Sequence, residues 1–170
     1  YAKVHSVWTY NNATGKWQAY SADSTVRAAL KADPDVLSFS VAATTDGMFV
    51  YSKDNASSEV LLADGRDISI KNEISNLAAG WHLLTAGNQG EMVGDLASMN
   101  SAVETIWIKD EGGWKVYTSS VELTNQINGA TDLSLLSSND ALPTTGASIW
   151  VNVKSANTAR SGRLATPPSY

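Results

Sequence analysis

The sequence contains no cysteine. Disulfide frameworks, thiolate metal sites and cysteine nucleophiles are therefore excluded together. Proline is sparse, at four residues, and phenylalanine sparser, at two. No apolar run approaches the roughly 18 residues of a membrane-spanning helix, so membrane insertion is not expected. Only 17% of the residues are charged, against about 25% in an average domain. There is no Lys/Arg cluster, and a net charge of −5 repels phosphate backbones, so nucleic acid is not an expected partner. A secretory leader is also missing, and the chain opens on Tyr1 rather than Met, which points to a mature or excised form.

What is present is amphipathic and β-prone. The 170 residues include six Trp and six Tyr, set among abundant Asn, Ser, Thr, Gly and Ala. Such rings suit half-buried surfaces, where the ring packs and the N–H or O–H meets water. With the low charge, this composition leads to the expectation of a protein outside the cell or at its surface. A chain of this length buries roughly two-thirds of its unfolded surface, so one domain needs no metal or disulfide staple.

The pattern predicts strands over Ala2–Tyr10, Lys16–Ser21, Val36–Ala42 and Met48–Ser52, with a short helix from Asp23 or Ser24 that ends before Pro34. A hairpin is expected around Asp64-Gly65, pairing Glu59–Ala63 with Ile68–Ile70. A strand from Trp81 and a short helix over Met92–Met99 follow. Then the opening pattern returns. Val103-Glu104-Thr105-Ile106-Trp107-Ile108 matches Val4-His5-Ser6-Val7-Trp8-Thr9 at an offset of 99, and the Trp114–Tyr117 strand matches Trp17–Tyr20 at an offset of 97. Leu123, Ile127, Leu133 and Leu136 fall on Val26, Leu30, Val36 and Phe39, and Ile149-Trp150-Val151 falls on Met48-Phe49-Val50. This ordered set reads as an internal duplication. The expected fold is α+β and β-rich, with antiparallel sheets, short helices and two tandem repeats. One domain spans residues 1–154, with repeat 1 at about 4–54, repeat 2 at about 80–154, a hairpin segment at 55–79 between them, and a polar tail at 155–170.

The order Gly80-Trp81-His82-Leu83-Leu84, short helix, Ile106-Trp107-Ile108-Lys109, Gly113-Trp114-Lys115-Val116-Tyr117, then Ile149-Trp150-Val151 resembles a Trp/Tyr-rich repeat of bacterial secreted and cell-surface proteins. That repeat has a Gly-Trp-Asn-Leu strand, a "W.Y..GW..Y" hairpin and a closing "G.WV" strand. His82 stands where Asn is usual, and Gly146-Ala147-Ser148 is a loose closing turn. The second copy covers the whole pattern; the first lacks the opening strand and helix. The resemblance implies a surface-exposed, non-enzymatic module and brings no ligand or site residues.

Candidate sites are few. Trp and Tyr three apart on a strand point to opposite faces, so one ring of Trp17/Tyr20 and one of Trp114/Tyr117 should be core and the other exposed. Exposed rings could stack on carbohydrate or on a partner protein; the same rings also fit a packing signature of the repeat. Because repeat 1 lacks a strand, Val4, Ser6, Trp8 and Tyr10 form the candidate edge for strand addition between copies. His5 and His82 lack zinc-site spacing. No GxSxG elbow occurs, and Asp46, Asp64, Asp67, Asp110, Glu111 and Asp140 fall in turns, where Asp serves the backbone. No catalytic residue, metal or cofactor is expected. Asn12 and Asn55 open N-x-S/T sequons. The expected function is a structural module of a surface layer, filament or matrix with protein partners, copies of itself among them; the alternative is an adhesion module that binds carbohydrate or a partner.

Overall fold

The structure is a computed structural model that describes residues 4–39, 46–52, 70–86, 90–110, 112–143, 147–155 and 163–168. The expected hairpin strand Glu59–Ala63, the first two residues of its partner (Ile68 and Ser69), and Asn55 lie outside these residues.

The chain begins with the β1 (Val4–Asn11) and β2 (Lys16–Tyr20) hairpin. Its turn closes with Gly15 N–H on Asn11 O at 2.8 Å, and Gly15 takes φ 65°, a left-handed conformation that suits glycine. Helix α1 (Ser24–Ala32) is capped by Asp23, whose carboxylate accepts the Thr25 and Val26 N–H groups. It leads into β3 (Val36–Ser38), which lies parallel to β2. Strand β4 (Phe49–Ser52) then returns antiparallel beside β1, giving a first sheet of order β3-β2-β1-β4.

The remaining elements are α2 (Lys71–Ser75), β5 (Gly80–Thr85), α3 (Val93–Ser98), β6 (Val103–Asp110), β7 (Gly113–Tyr117), α4 (Val121–Gly129), β8 (Leu133–Leu135) and β9 (Ser148–Val153). They build a second sheet of order β5-β9-β6-β7-β8. The sheets share a pairing scheme. Trp8 lies opposite Ala19 and Phe49, as Trp107 lies opposite Val116 and Trp150. Trp17 pairs with Val36 as Trp114 pairs with Leu133. Even the register shifts fall alike, between Val4 and Ser6 and between Val103 and Thr105.

The fold is β-rich with short helices, as expected, but the sheets are mixed rather than antiparallel. The cause is α1 and α4: a helical crossover returns the chain to the side from which it left, so β2–β3 and β7–β8 are parallel pairs. Three further expectations change. Strand β1 is not an edge: β2 and β4 flank it, so Val4, Ser6, Trp8 and Tyr10 lie in an interior strand. The strand that the second sheet has in addition, β5, pairs with β9, so its counterpart position lies beside β4. Within the linking segment, Lys71–Ser75 is helix α2 rather than part of a hairpin. In the tail, Leu164 packs on the aromatic core and its N–H donates to Gln126 Oε1 at 2.8 Å.

Strand alternation divides the core in two. One face of the second sheet carries Leu84, Ile106, Ile108, Ile149 and Val151, packed with Ile70 and Ile74 from the α2 region and Val93 and Leu96 from α3. The other carries Leu83, Trp107, Val116 and Trp150 and meets Trp17, Trp8, Tyr10 and Phe49 of the first sheet. Trp17 and Trp150 meet edge to face with centroids 5.7 Å apart, and Tyr10 and Trp150 at 5.1 Å. Trp150 is 2% exposed, and deleting such a ring leaves a cavity that costs about 3–5 kcal/mol. Trp150→Ala should lower unfolding stability by that amount in urea titration. A loss below about 1 kcal/mol would show that this ring does not hold the sheets together.

Candidate functional site

Among the described candidates, Asp140 and His82 hold structural hydrogen bonds. Among the described residues no three His, Asp or Glu side chains gather as a metal-binding group. Asp140 Oδ2 accepts the Ser137 N–H at 2.8 Å and shapes its own loop. The Asp46 carbonyl accepts the Thr85 hydroxyl at 2.8 Å. Asp64, Asp67 and Glu111 lie outside the described residues, and the Asp110 side chain is likewise not described. His5 Nδ1 sits 3.3 Å from Ser6 Oγ.

His82 is buried on β5 and joins the two sheets. Its Nε2 donates to Ala78 O at 2.8 Å, so Nδ1 is left as the acceptor for Asn12 Nδ2 from the β1–β2 turn. This pairing uses the neutral ring.

The four candidate aromatics divide as follows. Trp17 is buried at 8% exposure and touches Trp8, Tyr10, Phe49 and Trp150. It presents no ring face to a ligand, because alternation turns it into the space between the sheets. Trp114 is half-buried, with Trp107 at 5.9 Å and Lys109 Nζ 5.3 Å from its centroid. Tyr117 is half-buried against the aliphatic core. Tyr20 is 47% exposed, with the Arg27 guanidinium 5.9 Å from its centroid. Among the described residues no helix is long and apolar enough to cross a membrane.

The feature that sequence reasoning missed is a face. Val7 lies directly opposite both Tyr20 and Val50, so the three form one row across the outer side of the first sheet. In the second sheet the same register aligns Tyr117, Ile106 and Val151. There Ile106 and Val151 are fully buried beneath Ile74, Val93 and Leu96. On the first sheet Tyr20 and Val50 stay 47% and 42% exposed, and Val7 and Leu37 stay half-exposed. The signal was available in the alternation of Val7 with Trp8, but only the topology shows which of the two faces acquires a cover.

No protein-family model matches the chain, and neither does any curated protein or solved structure.

Burial lowers the His82 pKa below its ordinary 6.5, with the bond to Ala78 O pulling weakly the other way. The unfolded chain thus binds the proton more readily than the folded one. The stabilisation is complete above pH 6.5 and is lost as the pH falls from there through the lower folded value. In denaturant titrations at about pH 7.5 and about pH 5, the native chain should lose stability on acidification, and His82→Asn should lose less. An equal loss in both proteins would assign the dependence to other groups.

Proposed function

We propose that this chain is a non-enzymatic structural module of the cell surface or extracellular space, built from two copies of one unit, that assembles with copies of itself. The contacts are made by the outer face of the first sheet. The observation that carries this reading is the Tyr20–Val7–Val50 row. Its counterpart is sealed by helices in the second sheet, whereas in this row Tyr20 and Val50 stay 47% and 42% exposed and no described helix buries them. Contiguous apolar surface on one face of a sheet marks a contact surface.

The matched registers, the matched register shifts and the paired Trp–hydroxyl bonds support the duplication. Trp8 Nε1 donates to Ser6 Oγ, and Trp107 Nε1 to Thr105 Oγ1, both at 2.9 Å. The low charge supports an exported location. Contact through a face replaces strand addition along β1, which is already paired on both sides. The carbohydrate reading retains only Tyr20 as a well-exposed ring among the four aromatics, and Arg27 already engages that ring.

Sedimentation velocity over rising concentration tests the proposal. The intact chain should associate, and Val50→Lys, which places a charge in the row without touching the core, should abolish association. A chain that stays monomeric at about millimolar concentration, where contacts worth only about 4 kcal/mol become visible, would overturn the reading.

A further inference from the structure

The following rests on the contact surface just described and concerns what occupies one end of it. A cleft of about 260 Å³ opens there between α1 and β3. It is lined by Tyr20, Leu37 and Phe39 from the sheet and by Arg27, Leu30 and Lys31 at α1. Ala19 also lines it. Helix α1 buries none of its residues, whereas α4 buries Leu123 and Ile127. The first helix is therefore less tightly packed than its counterpart.

Arg27 and Lys31 are four apart, so they share one helix face. Arg27 Nη1 donates to Ser21 O at 3.1 Å, which fixes the guanidinium beside Tyr20. The matched positions on α4 hold Thr124 and Asn128. The two cations are therefore not required by the fold that the units share. An apolar cleft with two cations at its lip is complemented by an apolar side chain next to a carboxylate.

The chain itself carries such a pair. Val121, in the first turn of α4, is 76% exposed, the highest value among the large hydrophobic residues described, and exposed Glu122 follows it. The matched positions on α1 hold Ser24 and Thr25. Glu122 suits a helix N-terminus, but Val121 gains nothing from its position within the fold. The two units thus differ in complementary ways: one gains cations around a cleft, and the other gains an exposed apolar residue beside an acid.

We propose that the α1–β3 cleft is a socket for Val121 and Glu122 of a second copy, with the valine against Leu30 and Leu37 and the carboxylate between Arg27 and Lys31. At a net charge of −5 two copies repel at long range, so association needs a local match of opposite charge. Socket and plug lie on different units, so the contact is heterologous and copies add head to tail.

Sedimentation velocity on the full chain tests this, at about 50 mM and about 500 mM salt. Association should be stronger at the lower salt. Glu122→Lys should abolish it, as should the Arg27→Glu/Lys31→Glu pair. Lys31→Glu alone changes only an exposed side chain and should weaken it. Mixing Glu122→Lys with the doubly substituted chain should restore association, because each plug then meets a socket of opposite charge. Association that persists in every variant overturns the socket and leaves the contact-surface reading standing. A mixture that stays monomeric overturns the pairing of these groups. A monomeric native chain overturns both readings.

Discussion

The perpendicular contact of Trp17 with Trp150 is the central link in a longer series. Trp8, Trp17, Trp150, Trp81, Trp107 and Trp114 touch in that order, with centroids 5.7 to 6.4 Å apart. Every tryptophan of the sequence belongs to this run, which crosses from one sheet to the other. Edge-to-face geometry sets the positive rim of one ring against the negative face of the next. It also leaves indole N–H groups with few ring partners. Ser6 and Thr105 answer this need from two residues away on the same strand face, where alternation brings their hydroxyls to Trp8 and Trp107. A buried N–H without such a partner would carry the full desolvation cost.

The second constraint is at the corner where the sheets join. Strand β5 pairs with β9 over six residues, and its other side receives Asp46 and Gly47 on their way into β4. Gly47 N–H donates to Leu83 O at 3.0 Å, and its own carbonyl accepts the buried Thr9 hydroxyl at 2.8 Å. A Cβ at Gly47 would come within 2.6 Å of Leu84 O, so only glycine allows the two backbones this close. Among the described residues the first sheet has no equivalent of β5, yet the approach to its last strand is fastened to the β5 of the second sheet. Burying His82 beneath Asn12 adds a side-chain tie at the same junction.

Much of this was legible in the sequence, because periodicity and spacing report local structure. Alternation around Trp8 and Trp107 marked β1 and β6, Asp23 marked the start of α1, and the offset of 97 residues aligned Leu123 with Val26. What stayed hidden depends on order in space. Alternation shows that Val4 to Tyr10 is a strand but not which strands flank it, so β1 read as an edge. A short crossover helix reads the same whether the next strand is parallel or antiparallel, so the sheets read as antiparallel. Helix α2 has only five residues, too few for a helical period to show. Trp17 and Tyr20 divided as their three-residue spacing implies, one inward and one outward, but Trp114 and Tyr117 are both half-buried, because each meets a packed cluster on its own face. The burial of Trp17 was decided by the opposing sheet, which no local pattern describes.

Two sheets with one pairing scheme provide an internal control. Positions that must be apolar for folding are apolar in both: Trp8 and Trp107, Trp17 and Trp114, Phe49 and Trp150. Packing accounts for these, and they carry no information about anything beyond the fold. Positions where the units diverge on the surface are free of that demand. Arg27 against Thr124, Lys31 against Asn128, Ser24 against Val121 and Thr25 against Glu122 all lie on α1 and α4, within two turns of the helix starts. Neutral drift on solvated helix faces would scatter such differences without relation to one another. Here the cations gather at the one helix whose flank is under-packed, while the acid and the exposed valine gather on the other. Under the proposed assembly, that arrangement would put the specificity of contact on α1 and α4 rather than on the aromatic core.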